Sequence, residues 1–219
     1  MSSCLCGYLL RMDEVAAILL AAGHSSRMGA FKPLLPFGNK SVTEHCITNL
    51  RDAGIEEIVV VLGHRGDEVR EQLKHYDVSF ALNTDPESEM NVSIARGVEM
   101  VSPNAKAVLI ALADHPGVPS QIIQQVVDEW RRTGASLIQP EHEGRGGHPV
   151  LIDLAHRGEL LNLDPQRGLR SLFDRHREQV LRLAVDSAFV ARDMDTWEDY
   201  LRLHQDCFGR LPAESDSPF

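Results

Sequence analysis

The sequence predicts a single doubly wound α/β domain with a mostly parallel sheet, and three observations carry that expectation. Short, almost uninterrupted apolar runs recur along the chain, as strands covered on both faces require. Segments with helically spaced apolar residues separate them, which is the alternation of βαβ units. The chain has 219 residues, 43% of them hydrophobic and 25% charged, enough for one sizeable core.

The first strand is expected over residues 15–21 (VAAILLA), followed by strands over 57–62 (EIVVVL), 78–82 (VSFAL) and 107–112 (AVLIAL). Helices are expected over 43–53, 67–75, 91–101 and 119–133. The last places Ile122, Ile123, Val126, Val127 and Trp130 on one face, with Pro119 in its first turn and Gly134 closing it. Further strands follow over 136–139, 148–153 and 180–185, and a final helix over 195–204 with Asp195 or Thr196 as its cap. No internal repeat or linker divides the chain. The expected domain covers residues 12–206, preceded by an extension of residues 1–11 and followed by a disordered tail over 209–219.

Composition narrows the class of partner. The formal net charge is −10 and aromatics make up 5%, which argues against nucleic acid as a partner: its backbone needs a basic face and its bases need stacking platforms. No apolar run reaches the roughly 20 residues of a membrane span, and residues 1–11 lack the pattern of a signal peptide. Four irregularly placed cysteines, Cys4, Cys6, Cys46 and Cys207, form no disulfide framework and read as reduced thiols of a cytoplasmic protein.

Directly after the first strand, LLAAGHSSRMGAFKP crowds two glycines, two serines, Arg27 and Lys32 into one loop. Gly23 and Gly29 permit close backbone approach, so loop N–H groups can converge on phosphate oxygens while Arg27 and Lys32 supply charge. The spacing is not that of a Walker loop, because Gly29 is followed by Ala30. Nor is it a dinucleotide fingerprint, which Gly23-His24-Ser25 breaks. Lys32 precedes Pro33 and is expected in extended backbone, projecting from a loop. Asp114 follows the strand over 107–112 and precedes the turn at Pro116, so it lies at the same sheet end. A carboxylate there suits Mg²⁺, which takes one or two carboxylates plus phosphates and waters, and equally suits a simple Asp turn. His64, Arg65 and Glu68 read as a solvent-facing turn and helix start.

LLAAGHSSRMGAFKPLLP resembles the signature loop of MobA-like nucleotidyltransferases, LAAGxSxRMGxxKxLLP. NTDPESEMNVSIARG, LADHPGV, GRGGHPVLI, LDPQRGLRSLF and DMDTWEDY resemble further segments of that family, so the resemblance runs from about residue 13 to residue 204. The set is most similar to the molybdenum cofactor cytidylyltransferases that serve molybdenum hydroxylases. The chain departs from the pattern at Glu89, where the family shows Gly, at Asn91 and Val92 in place of small serines, and at His115 in place of glutamine.

The resemblance implies a Rossmann-like nucleotidyltransferase fold and Mg²⁺-dependent transfer of CMP from CTP to a molybdopterin-type phosphate, with pyrophosphate released. Two other activities are compatible: guanylyl transfer to that cofactor, or nucleotidyl transfer to another small phosphate. A non-catalytic protein that binds and delivers the cofactor is compatible as well. By resemblance Lys32, Arg27 and Asp114 are catalytic. Leu20, Ala21, Ala22, Gly23, Ser25, Ser26, Arg27, Met28, Gly29, Lys32, Asn83 and Ser93 bind the nucleotide. Asp114 and Asp195 hold the metal, with Asp193 as the alternative to Asp195. Gly147 and His148, together with Arg167 and Arg170, meet the acceptor, although a structural histidine and a solvated turn read the same residues.

Overall fold

The computed structural model describes residues 14–23, 28–85 and 88–212. Strands β1 (Val15–Ala21), β4 (Glu57–Leu62), β5 (Ser79–Leu82) and β6 (Ala107–Leu112) run parallel, with β1 between β4 and β6. Every residue of β1 is buried, which is why its sequence alternates so little. The main sheet continues past β6 with β9 (Val150–Asp153), β7 (Leu137–His142) and β10 (Val180–Ala184), in the order β10-β7-β9-β6-β1-β4-β5. β9 pairs antiparallel with both neighbours, so the sheet is mixed but mostly parallel. A two-residue strand β8 (Arg145–Gly146) joins β7, and β2 (Pro36–Phe37) with β3 (Lys40–Ser41) forms a separate hairpin.

Helices cover both faces. On one lie α1 (Val42–Asp52), α2 (Gly66–Gln72) and α4 (Ser120–Thr133), which bury Ile47, Leu50, Val69, Ile122, Val126 and Trp130. Each such side chain contributes roughly 1.5–3 kcal/mol when fully buried. On the other lie α3 (Met90–Met100), α5 (Arg157–Leu160) and α6 (Leu169–Arg175), through Ile94, Val98, Leu160 and Leu172. α3 crosses β1 closely: a Cβ at Gly97 would stand 2.5 Å from Ile18 Cγ2 and 3.1 Å from Val61 Cγ2. Gly134 closes α4 at φ +66°.

The last helix, α7 (Trp197–Phe208), is capped by Thr196, whose side chain accepts from Asp199 N while the Asp199 carboxylate accepts from Thr196 N. Of the two cap candidates, Asp195 is therefore spared that task. Lys32 needs a correction. It opens a 3-10 turn, Lys32–Leu34, instead of lying in extended backbone, because Pro33 fits the first turn and Leu35 N donates to Lys32 O at 3.1 Å.

Candidate active site

The chain passes from β1 to β4 and β5 on one side, then returns to place β6 on the other side of β1. The crevice lies at the carboxyl ends of these strands, where the strand order reverses about β1. A cleft of about 780 Å³ lies there. The strands β1, β4, β5 and β6 all end at it: Leu20 and Ala21 close β1 with Ala22 and Gly23 after them, Gly63 and His64 follow β4, Asn83 to Asp85 follow β5, and Ala113 and Asp114 follow β6. Backbone pairing continues past the strand ends, with Ala113 N donating to Leu20 O at 3.1 Å and Asn83 N to Leu62 O at 2.8 Å. The floor is thereby fixed.

Two residues far apart in the chain meet over this floor. Lys32 Nζ lies 2.8 Å from Asp195 Oδ1, with 13% of the lysine side chain and 38% of the aspartate exposed. Asp195 lines the cleft, whereas Asp193, across the buried Met194, is exposed and does not. Asp114 also faces the cleft. Burial pushes its carboxyl pKa above the usual range; His115 and Lys32 oppose that, and the nearby Asp195 charge adds to it. Two carboxylates crowded beside one lysine form an all-oxygen donor set suited to Mg²⁺ or Mn²⁺. Behind Asp114, His115 Nε2 lies 3.9 Å from its Oδ1, and the buried His115 Nδ1 has no hydrogen-bond partner among the described residues.

Asn83 and Ser93 are buried polar residues joined to each other. Asn83 Nδ2 donates to Ser93 Oγ at 2.9 Å and to Ser88 Oγ at 2.7 Å, with both groups at the cleft wall. The structure thus gathers Leu20, Ala21, Ala22, Gly23, Lys32, Asn83, Ser93, Asp114 and Asp195 at one cleft. Ser25, Ser26 and Arg27 lie outside the described residues, as do Cys4 and Cys6.

Other expected residues are elsewhere. Met28 does not line the cleft; it is buried in a small cluster with Phe37, Met194 and Tyr200, where a long apolar side chain is better satisfied than beside phosphate. Gly29 takes φ +69° in the turn and likewise does not line it. Gly147 packs so closely on Val190 that a Cβ would stand 2.0 Å from the Val190 carbonyl oxygen. His148 Nδ1 meets Ile110 O at 3.2 Å and its ring stands edge-on to His115, 5.7 Å between centroids. Burial, with the His115 charge second, lowers its pKa to about 4. Arg167 pairs with Asp174, and Arg170 lies 3.8 Å from the same carboxylate. None of these four lines the cleft.

His64 lies in the solvent-facing turn expected there, and that turn also brings it to the rim of the cleft. Its ring meets Phe31 edge-on at 6.5 Å, and Arg65 lies over the other ring at 4.5 Å while bonding Glu68 through two nitrogens at 2.6 Å. Position immediately after β4 was the signal for His64: the strand-end rule that picked out Asp114 applies to it equally. Thr84, Asp85, Glu89 and Met90 are further wall residues.

A model of the MobA-like NTP transferase domain matches residues 17–180 of this chain. The chain belongs to the MobA-like NTP transferase family. It is 25% identical over 194 residues to the molybdenum cofactor cytidylyltransferase of Escherichia coli K12, covering 87% of this chain and 95% of that protein. It is also similar to the crystal structure of Rv0371c from Mycobacterium tuberculosis H37Rv, with TM-score 0.79 and 27% identity over 88% of this chain and 98% of that one. A manganese complex of Rv0371c matches at TM-score 0.73 and 28% identity, over the same 88% and 98%. This MobA-like chain is a nucleotidyltransferase with a Rossmann-like fold, and among its described residues no helix is long and apolar enough to cross a membrane.

Proposed function

We propose that this nucleotidyltransferase transfers CMP from CTP to the terminal phosphate of molybdopterin-type cofactor, in the cytoplasm, for delivery to a molybdenum hydroxylase. The observation that carries the reading is the meeting of Lys32, Asp114 and Asp195 over the β1/β6 crevice. The extended likeness to the E. coli cytidylyltransferase supports the choice of CTP and acceptor.

In the reaction an acceptor phosphate oxygen forms a bond to the α-phosphorus of CTP, the bridging bond to the β-phosphate breaks, and pyrophosphate leaves. A phosphate monoester, with a second pKa of about 6, is already largely a dianion at neutral pH and needs no side-chain base. Positioning and charge neutralisation carry the rate. Asp114 and Asp195 would hold a divalent ion, Mg²⁺ in the cell, which supplies Lewis-acid polarisation of phosphate oxygens. Lys32 exchanges Asp195 for triphosphate oxygens as substrate enters, and Arg27 joins it from the loop. Asn83, oriented by Ser93, reads a polar edge of nucleotide or acceptor. His148 acts as a positioning group, bracing His115 behind Asp114. Arg167 and Arg170 would meet the acceptor on releasing Asp174, which both engage in the free protein.

The test is transfer of label from α-labelled CTP, GTP or ATP to molybdenum cofactor by the purified chain with Mg²⁺. Labelled cofactor from CTP alone is expected. Label from GTP would make it a guanylyltransferase, and no label from any nucleotide with intact cofactor would contradict the acceptor or the activity.

A further inference from the structure

Residues 154–176 leave the sheet after β9 and return to it before β10, through a 3-10 turn (Leu154–His156), α5 and α6. His156 and Glu159 are three residues apart, so they share one face of a single helical turn. His156 Nδ1 lies 2.9 Å from Glu159 Oε1, and His176 Nε2, just past α6, lies 2.9 Å from that same oxygen. The two rings stand 4.5 Å apart at 57°. Arg175 Nη1 takes the other carboxylate oxygen, Oε2, at 2.6 Å. The ligand atoms of the triad lie within 4.8 Å of one another, and it is the one such group of three among the described residues. None of its members lines the cleft.

We infer that His156, Glu159 and His176 form a second divalent-metal site, one that takes a transition metal of the zinc class. Two imidazoles and one carboxylate are a donor set that favours zinc over the magnesium expected at the all-oxygen cleft. A short pair from one turn plus a third ligand from a distant segment is the spacing such sites use. Leu160 and Leu172, both buried, anchor the two segments, so the donors converge without further folding. Binding asks each neutral ring to carry its proton on the nitrogen remote from the metal, and water completes a tetrahedron. Arg175 would keep the carboxylate oriented, as hydrogen-bonded partners of metal ligands do. The ion would close the chain segment that carries Arg167 and Arg170.

The test uses the full chain stripped with a chelator and titrated with Zn²⁺ in excess Mg²⁺, beside His156→Ala/His176→Ala. Wild type should bind one equivalent more than the double variant, and its melting temperature should rise with zinc while that of the variant does not. Glu159→Gln should weaken binding by roughly 100-fold or more, beyond the 10- to 100-fold typical of losing a supporting group. Co²⁺ in place of zinc should give tetrahedral d–d bands without a thiolate charge-transfer band. His176→Gln replaces the double variant if the latter does not fold. Equal zinc stoichiometry and affinity in wild type and variants, or no zinc binding by wild type, would overturn the inference.

Discussion

The Lys32–Asp195 ion pair lends itself to a double-mutant cycle, Lys32→Met against Asp195→Asn, run with and without Mg²⁺·CTP. At 2.8 Å the gross attraction is roughly 6 kcal/mol with an effective dielectric constant of about 20. Desolvation of Lys32, only 13% exposed, and screening at Asp195, 38% exposed, reduce the net coupling to about 1 kcal/mol. Denaturant unfolding of the four ligand-free proteins should return that value. With Mg²⁺·CTP bound, Lys32 faces phosphate instead, and coupling should fall towards zero. Lys32→Met alone should weaken CTP binding by about 10- to 100-fold, the 1.5–3 kcal/mol of a charge-assisted hydrogen bond. A coupling unchanged by saturating CTP, or a Lys32→Met variant with wild-type CTP affinity, would refute the exchange of partners.

Three further predictions concern single positions. Because burial raises the Asp114 carboxyl pKa, the ionised group opposes folding at neutral pH. Asp114→Asn should therefore raise stability, though only modestly for a side chain 36% open to the cleft, while turnover falls at least about 100-fold. A parallel thermal melt and activity assay would show both, and an active variant would remove Asp114 from the chemistry. His148, lowered from 6.5 to about 4, binds its proton more weakly folded than unfolded, so it makes stability decline as pH falls through that interval. Its share is on the order of 1–3 kcal/mol, and unfolding of His148→Gln across the interval should lack it. Gly97→Val would drive a side chain into Ile18 and Val61, and should destabilise by about 1–3 kcal/mol in urea; a neutral result would mean that α3 is free to move off the sheet.

What could be read from the sequence follows its physical signals. β1, β4 and β6 agree with expectation to the residue, because a strand buried on both faces leaves a continuous apolar run bounded by polar residues. The α4 stripe and its Gly134 cap were equally plain. The reversed direction of β9 was not, since strand polarity leaves no mark in composition. α5 and α6 are too short, at four and seven residues, to show a helical period, so the His156–Glu159–His176 convergence could not be seen. At the site, Lys32 and Asp114 carried local signals. Asp195 depended on resemblance, because contact between residues 163 apart is decided by tertiary packing. Met28 adjoins the loop after β1 in sequence, and the burial of its side chain against Tyr200 and Phe37 is again a matter of tertiary packing.

The most direct test of the central claim is anomalous diffraction from crystals grown with Mn²⁺ and a non-hydrolysable CTP analogue. A manganese peak is expected between the carboxylates of Asp114 and Asp195, with the triphosphate against Lys32 and the loop after β1. A nucleotide bound away from the β1/β6 crevice, or manganese found only elsewhere, would contradict it.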